Sequence, residues 1–74
     1  MSQELKEAQL SQLQEIAEIL CEKMYLFRAY QRYPLHKVRR ILKMQSELLF
    51  LVLAGEERKE EIEELKQIVE SLIN

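Results

Sequence analysis

The chain has few of the residues that end helices. Its 74 residues include one glycine, one proline, one asparagine (the last residue), no aspartate and no threonine. Because these residue types build turns and helix caps, few breaks in regular structure are possible. Glutamate, leucine, glutamine, lysine, isoleucine and alanine fill most other positions, and these are mostly good helix formers. The composition therefore predicts an all-α fold.

The chain also lacks the usual devices that stabilise a small protein. Cys21 is the only cysteine, so no internal disulfide can form, and a free thiol is typical of a reducing cytoplasm. A domain of this length buries only about 60% of its extended-chain surface, so it usually needs a disulfide, a metal or a second chain. We therefore expect one helical domain over residues 1–74 that forms an oligomeric bundle, with a dimer favoured.

No segment has the length and composition of a membrane span or a secretion signal. The longest apolar run, residues 48–54, is far below the ~18 residues of a membrane-spanning helix. The first residues lack the basic and then apolar regions of a signal peptide. Both observations predict a cytoplasmic protein and disfavour a membrane partner.

Pro34 and Gly55 mark the two positions at which the helical chain can break. Proline cannot extend the hydrogen-bond ladder of a first helix but is tolerated at the start of the next. We therefore expect an antiparallel helical hairpin over about residues 3–32 and 35–54, turning near residues 33–35. A third helix, about 57–73, either folds back after a glycine cap or extends the second helix. The break is slightly favoured, because an interior glycine costs about 1 kcal/mol relative to alanine.

Apolar side chains recur along each predicted helix at spacings of three and four residues. In the first helix the apolar arc is wide, which predicts neighbours on two sides. Its expected inner residues are Leu10, Leu13, Ala17, Leu20, Met24 and Phe27, flanked by Leu5, Ile16, Ile19, Leu26 and Tyr30. Those of the second helix are Leu35, Val38, Leu42, Leu49 and Val52. Those of the third are Ile62, Leu65, Ile68, Val69, Leu72 and Ile73.

The end of the second helix is apolar on all sides. Residues 48–54 include no polar side chain, so more than one partner element has to cover this segment. We expect it to mediate self-association. The residues predicted to do so are Leu48, Phe50, Leu51 and Val52.

Charge is distributed unevenly, although the net charge is only −2. The formal charge is −3 over residues 1–23, +6 over residues 24–46 and −5 over residues 47–74. Lys37, Arg39 and Arg40 lie in the opening turns of the second helix, where the helix dipole disfavours each cation by about 0.3–1 kcal/mol. This conflict predicts a surface that binds an anion or an acidic partner; the alternative is that the cations only increase solubility. The predicted surface consists of Arg28, Arg32, His36, Lys37, Arg39, Arg40 and Lys43.

The sequence predicts no catalytic residue, no metal site and no cofactor. Cys21 and His36 lie on different arms of the expected hairpin, about 15 Å apart along its axis, and we expect Cys21 to fill the core. The glutamates around residue 60 lack the glycine-containing loop of a calcium site and alternate with cations, as on a solvated helix face. One glycine cannot form a phosphate-binding loop. We therefore expect a protein without enzymatic activity.

The segment from Glu15 to Leu53 loosely resembles the short helical-hairpin phosphatases that regulate sporulation by dephosphorylating a response regulator. The residues that carry the resemblance are Glu22-Lys23-Met24 and Gln45-Ser46-Glu47-Leu48, the latter near the family's Ser-Gln-Glu-Leu-Asp signature. The first two signature positions are exchanged, Leu49 stands at the aspartate position, and the chain contains no aspartate. The resemblance therefore implies a hairpin that docks on another protein, without the phosphatase activity.

Three functions follow from these observations. The favoured one is a non-catalytic protein–protein interaction or regulatory module that self-associates and presents its basic turn to an acidic protein surface. The second is nucleic-acid binding through the same turn, with nearby tyrosines available for base stacking; the acidic flanking segments oppose it, because they repel a long polyanion. The third, a degenerate phosphorelay regulator, rests on the family resemblance alone.

Overall fold

In the computed structural model, the described residues form three helices, α1 (Gln3–Tyr30), α2 (Leu35–Leu53) and α3 (Lys59–Ile73). The structure describes residues 1–30 and 34–73, and the side chains of residues 1–23 and 34–72. The all-α prediction is confirmed. The second helix begins at the predicted residue, Leu35, and the third begins at Lys59, two residues after its predicted start. Most of the predicted turn around residue 33 lies outside the described residues. None of the helices in the described part of the chain combines the length and the hydrophobicity that a membrane span requires.

Gly55 ends α2 and allows α3 to fold back, as the favoured alternative predicts. Its φ of +96° is a left-handed conformation that L side chains rarely adopt. The N–H of Gly55 donates to the carbonyl of Val52 and the N–H of Glu56 donates to that of Leu51, both at 3.0 Å. These two bonds form a Schellman motif, which satisfies carbonyls that the end of a helix leaves without partners.

Side chains from all three helices form one core. Its buried members are Leu13, Ile16, Leu20, Ile41, Leu48, Val52, Ile62, Leu65 and Val69. Leu10, Ile19, Leu42, Met44 and Leu72 pack against it and are partly buried. The polar face of α1 opposite the core is exposed; its residues are Glu7, Ser11, Gln14, Glu15, Glu18 and Glu22. The predicted inner faces of α1 and α3 are therefore largely confirmed over their described side chains.

The inner face of α2 differs from the prediction. Leu35 and Leu49 were expected to be buried, but they are 46% and 38% exposed. The buried residues of α2 are Val38, Ile41, Leu48 and Val52. The physical reason is that α2 contacts both α1 and α3, so the side that it shares between two neighbours is buried. For α3, the expected inner residue Ile68 is also partly exposed, at 37%.

Two glutamine side chains connect the helices. Gln45 of α2 donates a hydrogen bond from Nε2 to the carbonyl of Leu13 in α1, at 2.9 Å. Gln9 of α1 is 1% exposed, and its Oε1 accepts a hydrogen bond from the N–H of Arg58 at 2.7 Å. Arg58 directly precedes α3, and its carbonyl accepts the first bond of that helix from Ile62. The start of α3 is thus capped by a side chain from another helix.

The side chain of Arg58, in the segment that connects α2 to α3, binds acidic residues on both sides of it in the sequence. Its guanidinium donates hydrogen bonds to the carboxylates of Glu61, at 2.7 Å, and Glu56. These bonds raise the pKa of Arg58 above its usual value. Because the pair with Glu61 is solvent-exposed, it contributes little to stability and mainly fixes the conformation of the segment.

Candidate interaction surface

The basic surface predicted from the sequence lies on the first half of α2. Pro34 precedes the helix in an extended conformation, and its carbonyl accepts hydrogen bonds from the N–H groups of Lys37 and Val38. No side chain caps this helix start, and its first turn contains no acidic residue. The uncapped N–H groups and the positive end of the helix dipole therefore add to the field of the cations.

The five members of this surface that the structure describes are all exposed. They are His36, Lys37, Arg39, Arg40 and Lys43. None of them forms an ion pair with another described residue; the ion pairs among described residues join Arg58 to Glu56 and Glu61. The side chain of Arg28 and the whole of Arg32 lie outside the described part of the chain. The described cations are thus available to an external anion.

The cations fall into two groups according to their position around α2. Lys37 and Arg40, three residues apart, border a groove of about 540 Å³ between α2 and α3. Arg39 and Lys43, four residues apart, lie on one row along the helix and do not border this groove. The sequence places all four cations in the first half of α2. The packing of α3 beside Lys37 and Arg40 is what distinguishes these two cations from Arg39 and Lys43.

The groove beside Lys37 and Arg40 is amphipathic, and we call it the basic groove. Its apolar lining is formed by Ile41, Met44, Ile68 and Leu72, and its polar lining includes Glu64 and Ser71 in addition to the two cations. Charge at one end and exposed apolar surface along the wall match a ligand that carries both carboxylates and apolar side chains.

Part of the charge in the basic groove has an intramolecular counterpart. The last turn of α3 contains no basic residue, and two residues of that turn, Ser71 and Leu72, line the groove together with Lys37 and Arg40. The negative end of the α3 dipole therefore lies close to these two cations and offsets their unfavourable position in α2. This compensation was not visible in the sequence, because it requires α3 to fold back.

The structure buries part of the surface that was predicted to mediate self-association. Leu48 and Val52 are 4% and 0% exposed because they lie in the core of the chain itself, and Leu51 is half-buried. Of the four residues predicted to mediate self-association, Phe50 is the one that is mostly exposed, at 73%. Leu53, next to it on the same side of α2, is 54% exposed. The exposed large apolar residues at this end of α2 are therefore Leu49, Phe50 and Leu53.

Two residues of the tetrapeptide that resembles the sporulation phosphatases, Gln45 and Leu48, pack within the bundle. Gln45 binds the backbone of α1, and Leu48 lies in the core. Of that tetrapeptide only Ser46 and Glu47 are exposed. The conformation therefore provides no observation in favour of a phosphorelay function.

The groups that could carry chemistry are dispersed. Cys21 is exposed, so the prediction that it fills the core is wrong: it lies at the edge of the apolar arc of α1, beyond the side chains that α2 and α3 cover. His36 is exposed at the start of α2. Among the described residues, no three histidine, cysteine or acidic side chains are close enough to hold a metal ion.

Comparisons with known proteins give no assignment: no family model matches the chain, and neither a curated protein nor a solved structure is similar to it. Function therefore has to be argued from the surface itself.

Proposed function

We propose that this protein is a non-catalytic, self-associating interaction module that binds an acidic segment of another protein at the basic groove. One observation carries the proposal. The first half of α2 exposes four formal positive charges that have no ion-pair partner among the described residues, and two of them border an apolar groove.

The groove favours an amphipathic protein segment over a simple anion. A free anion would contact Lys37 and Arg40 but would leave the apolar wall of Met44 and Ile68 in water. An acidic helix whose apolar face enters the groove would cover that wall and pair its carboxylates with the two cations. Glu64, on the α3 side, would in turn favour a basic residue at the other edge of the partner.

Nucleic acid is the second candidate that the cations allow, but the surrounding charge opposes it. Glu64 lines the same groove, and the chain carries −5 over residues 47–74. A long polyanion lying along the bundle would meet this negative field, whereas a short acidic segment would contact only the basic end. For this reason we place the acidic protein segment first.

The test uses a synthetic peptide of about 20 residues, which as a helix spans about 30 Å, with glutamate on one face and leucine on the other. Its binding to the full chain is measured by fluorescence anisotropy, in parallel with labelled DNA and RNA duplexes. We expect peptide binding that weakens with added salt and is lost in the double variant Lys37→Glu/Arg40→Glu.

The matched control is Lys59→Glu/Lys66→Glu, which makes the same change in net charge on exposed positions of α3. Peptide binding should persist in this variant, because neither lysine lines the basic groove. Equal loss of binding in both double variants would show a general charge effect and would contradict the proposal. Binding of duplexes but not of the peptide, with a salt slope of about 0.9 per phosphate contact, would establish the nucleic-acid alternative instead.

A cytoplasmic location is part of the same proposal. Cys21 is exposed and has no disulfide partner. An exposed free thiol is stable in the reducing cytoplasm and is oxidised readily outside it. Measurement of the redox state of Cys21 in intact cells of the source organism tests this point.

A further inference from the structure

We infer that two copies of this chain associate through α2, with the two α2 helices antiparallel and related by a two-fold axis. The inference rests on the self-association in the proposed function and specifies its surface, orientation and register. The occupant of the exposed face of α2 is thus a second copy of the same chain.

The apolar side chains that α2 leaves in water supply the driving force. Leu49, Phe50 and Leu53 are 38%, 73% and 54% exposed. They lie within five consecutive residues and share one side of the helix. A cluster of large apolar side chains on a small helical protein marks an interaction site more often than a single exposed leucine does.

The spacing of the residues on this side of α2 is that of a helix–helix seam. The intervals alternate between four and three residues, the repeat that places side chains along one stripe facing another helix. We call this row the outer seam of α2. Its members are Leu35, Arg39, Leu42, Ser46, Leu49 and Leu53. The buried residues of α2 form a separate, neighbouring stripe, and Leu42 lies at the boundary because it also packs against the core.

The charges select the antiparallel orientation. Residues 37–43 carry four cations and no acid. Residues 47–57 carry Glu47, Glu56 and Glu57 and no cation, and of these acids Glu56 is already bound to Arg58 of its own chain. A parallel pair would place the cationic halves of the two α2 helices side by side. A two-fold antiparallel pair places each cationic half beside the acidic end of the other copy, so both electrostatic contacts are favourable.

The register follows from pairing one leucine of each copy with a leucine of the other, with only a small serine opposite Leu49. When Leu42 faces Leu53 of the second copy, Ser46 faces Leu49 of the second copy, and the two-fold axis repeats both pairs. The same register sets Lys43 against Phe50 of the second copy, where the lysine stem covers the ring and its ammonium group lies over the ring face. A register shifted by one heptad towards the start of α2 would instead bring the two Lys43 ammonium groups together.

The outer seam and the basic groove lie on different sides of α2. The groove is formed with α3, and no residue of the outer seam lines it. The dimer therefore leaves both basic grooves open, and the two surfaces can be tested separately.

The first experiment measures the mass of the full chain by sedimentation equilibrium. We expect twice the chain mass of 8.9 kDa for the wild type. Leu49→Glu should weaken the dimer by roughly 100-fold or more, because it buries an unpaired charge in the interface. Ile68→Glu is the matched control: Ile68 is 37% exposed but lies on α3, so this variant should remain a dimer. Circular dichroism verifies that both variants stay helical.

The second experiment tests orientation and register. In the background Cys21→Ser, a cysteine introduced by Ser46→Cys lies about one helical turn from its symmetry mate. A short bis-maleimide should therefore join two chains. The control is Glu18→Cys in the same background; Glu18 is on the solvated face of α1, so this variant should give no crosslinked dimer at the same concentration.

The outcomes separate the inference from the function on which it rests. A dimer that Leu49→Glu leaves intact, or that Ser46→Cys fails to crosslink, would overturn the outer seam while self-association stands. A wild-type monomer at high micromolar concentration would overturn both. Binding of the acidic peptide at Lys37 and Arg40 is measured on the Leu49→Glu chain, so its result does not depend on either outcome.

Discussion

Gln9 and Arg58 are 49 residues apart in sequence, yet the side-chain oxygen of Gln9 accepts a hydrogen bond from the backbone N–H of Arg58 at 2.7 Å. The N–H of Arg58 at this helix start is the donor that the glutamate or glutamine of a capping box usually binds, and here a glutamine from another helix accepts from it. Because Gln9 belongs to α1 and Arg58 precedes α3, the bond ties the first helix to the start of the third. The position of α3 is therefore stabilised by this hydrogen bond as well as by the apolar core.

Replacement of Gln9 by methionine should destabilise the fold by about 1–2 kcal/mol, because the N–H of Arg58 loses its partner in a partly buried position. Amide hydrogen exchange at the start of α3 should accelerate at the same time. The free energy of unfolding is measured by urea denaturation. Gln12→Met, an exposed change on the same helix, should stay within about 0.5 kcal/mol of the wild type. Equal losses in the two variants would show that the capping bond is unimportant.

Gly55→Ala should cost about 1–2 kcal/mol. A Cβ at this position would meet no atom within 4 Å, so the cost comes from the backbone angle of +96° and not from a clash. For a chain of this size, each kcal/mol corresponds to a fall in Tm of about 4–8 °C. Gly55→Asn should lose less, since asparagine tolerates left-handed angles better than alanine does. A Tm of the alanine variant equal to that of the wild type would contradict the glycine cap.

Ile62→Ala and Ile68→Ala should differ, although periodicity assigns both residues to the inner face of α3. Ile62 is 2% exposed, so its truncation should cost about 2–5 kcal/mol. Ile68 is 37% exposed at the basic groove, so its truncation should cost about 1 kcal/mol or less. Urea denaturation of both variants at one protein concentration gives the comparison. A loss at Ile68 as large as that at Ile62 would mean that the groove is closed in solution.

Local sequence signals predicted the elements of the fold well. Pro34 and Gly55 act through their own backbone restrictions, so both helix boundaries follow from single residues. The buried positions Leu13, Leu20 and Leu65 recur at helical spacing and occupy the core as expected. The cations of α2 are exposed as well, because lysine and arginine rarely lose their hydration without a partner.

Prediction from the sequence failed at positions whose environment depends on a distant helix. Leu35 and Leu49 belong to a regular apolar stripe of α2. They are exposed because α2 packs against both α1 and α3 with a different side, which contains Val38, Ile41, Leu48 and Val52. Cys21 lies on the apolar arc of α1 and still remains exposed. Burial of Gln9 was not predicted, because a glutamine on a helix is ordinarily solvated. Its hydrogen bond depends on the position of Arg58 in the folded chain.

The amino-acid sequence by itself determined that the chain forms helices, where those helices break, and that a net positive charge occurs only in its middle third. Those properties depend on backbone propensities and on local spacing. The tertiary structure decided which of two leucine stripes on α2 is buried, which cations share a groove with apolar side chains, and what caps α3. Each of these depends on contacts between residues far apart in the chain, whose geometry exists only after the three helices have packed.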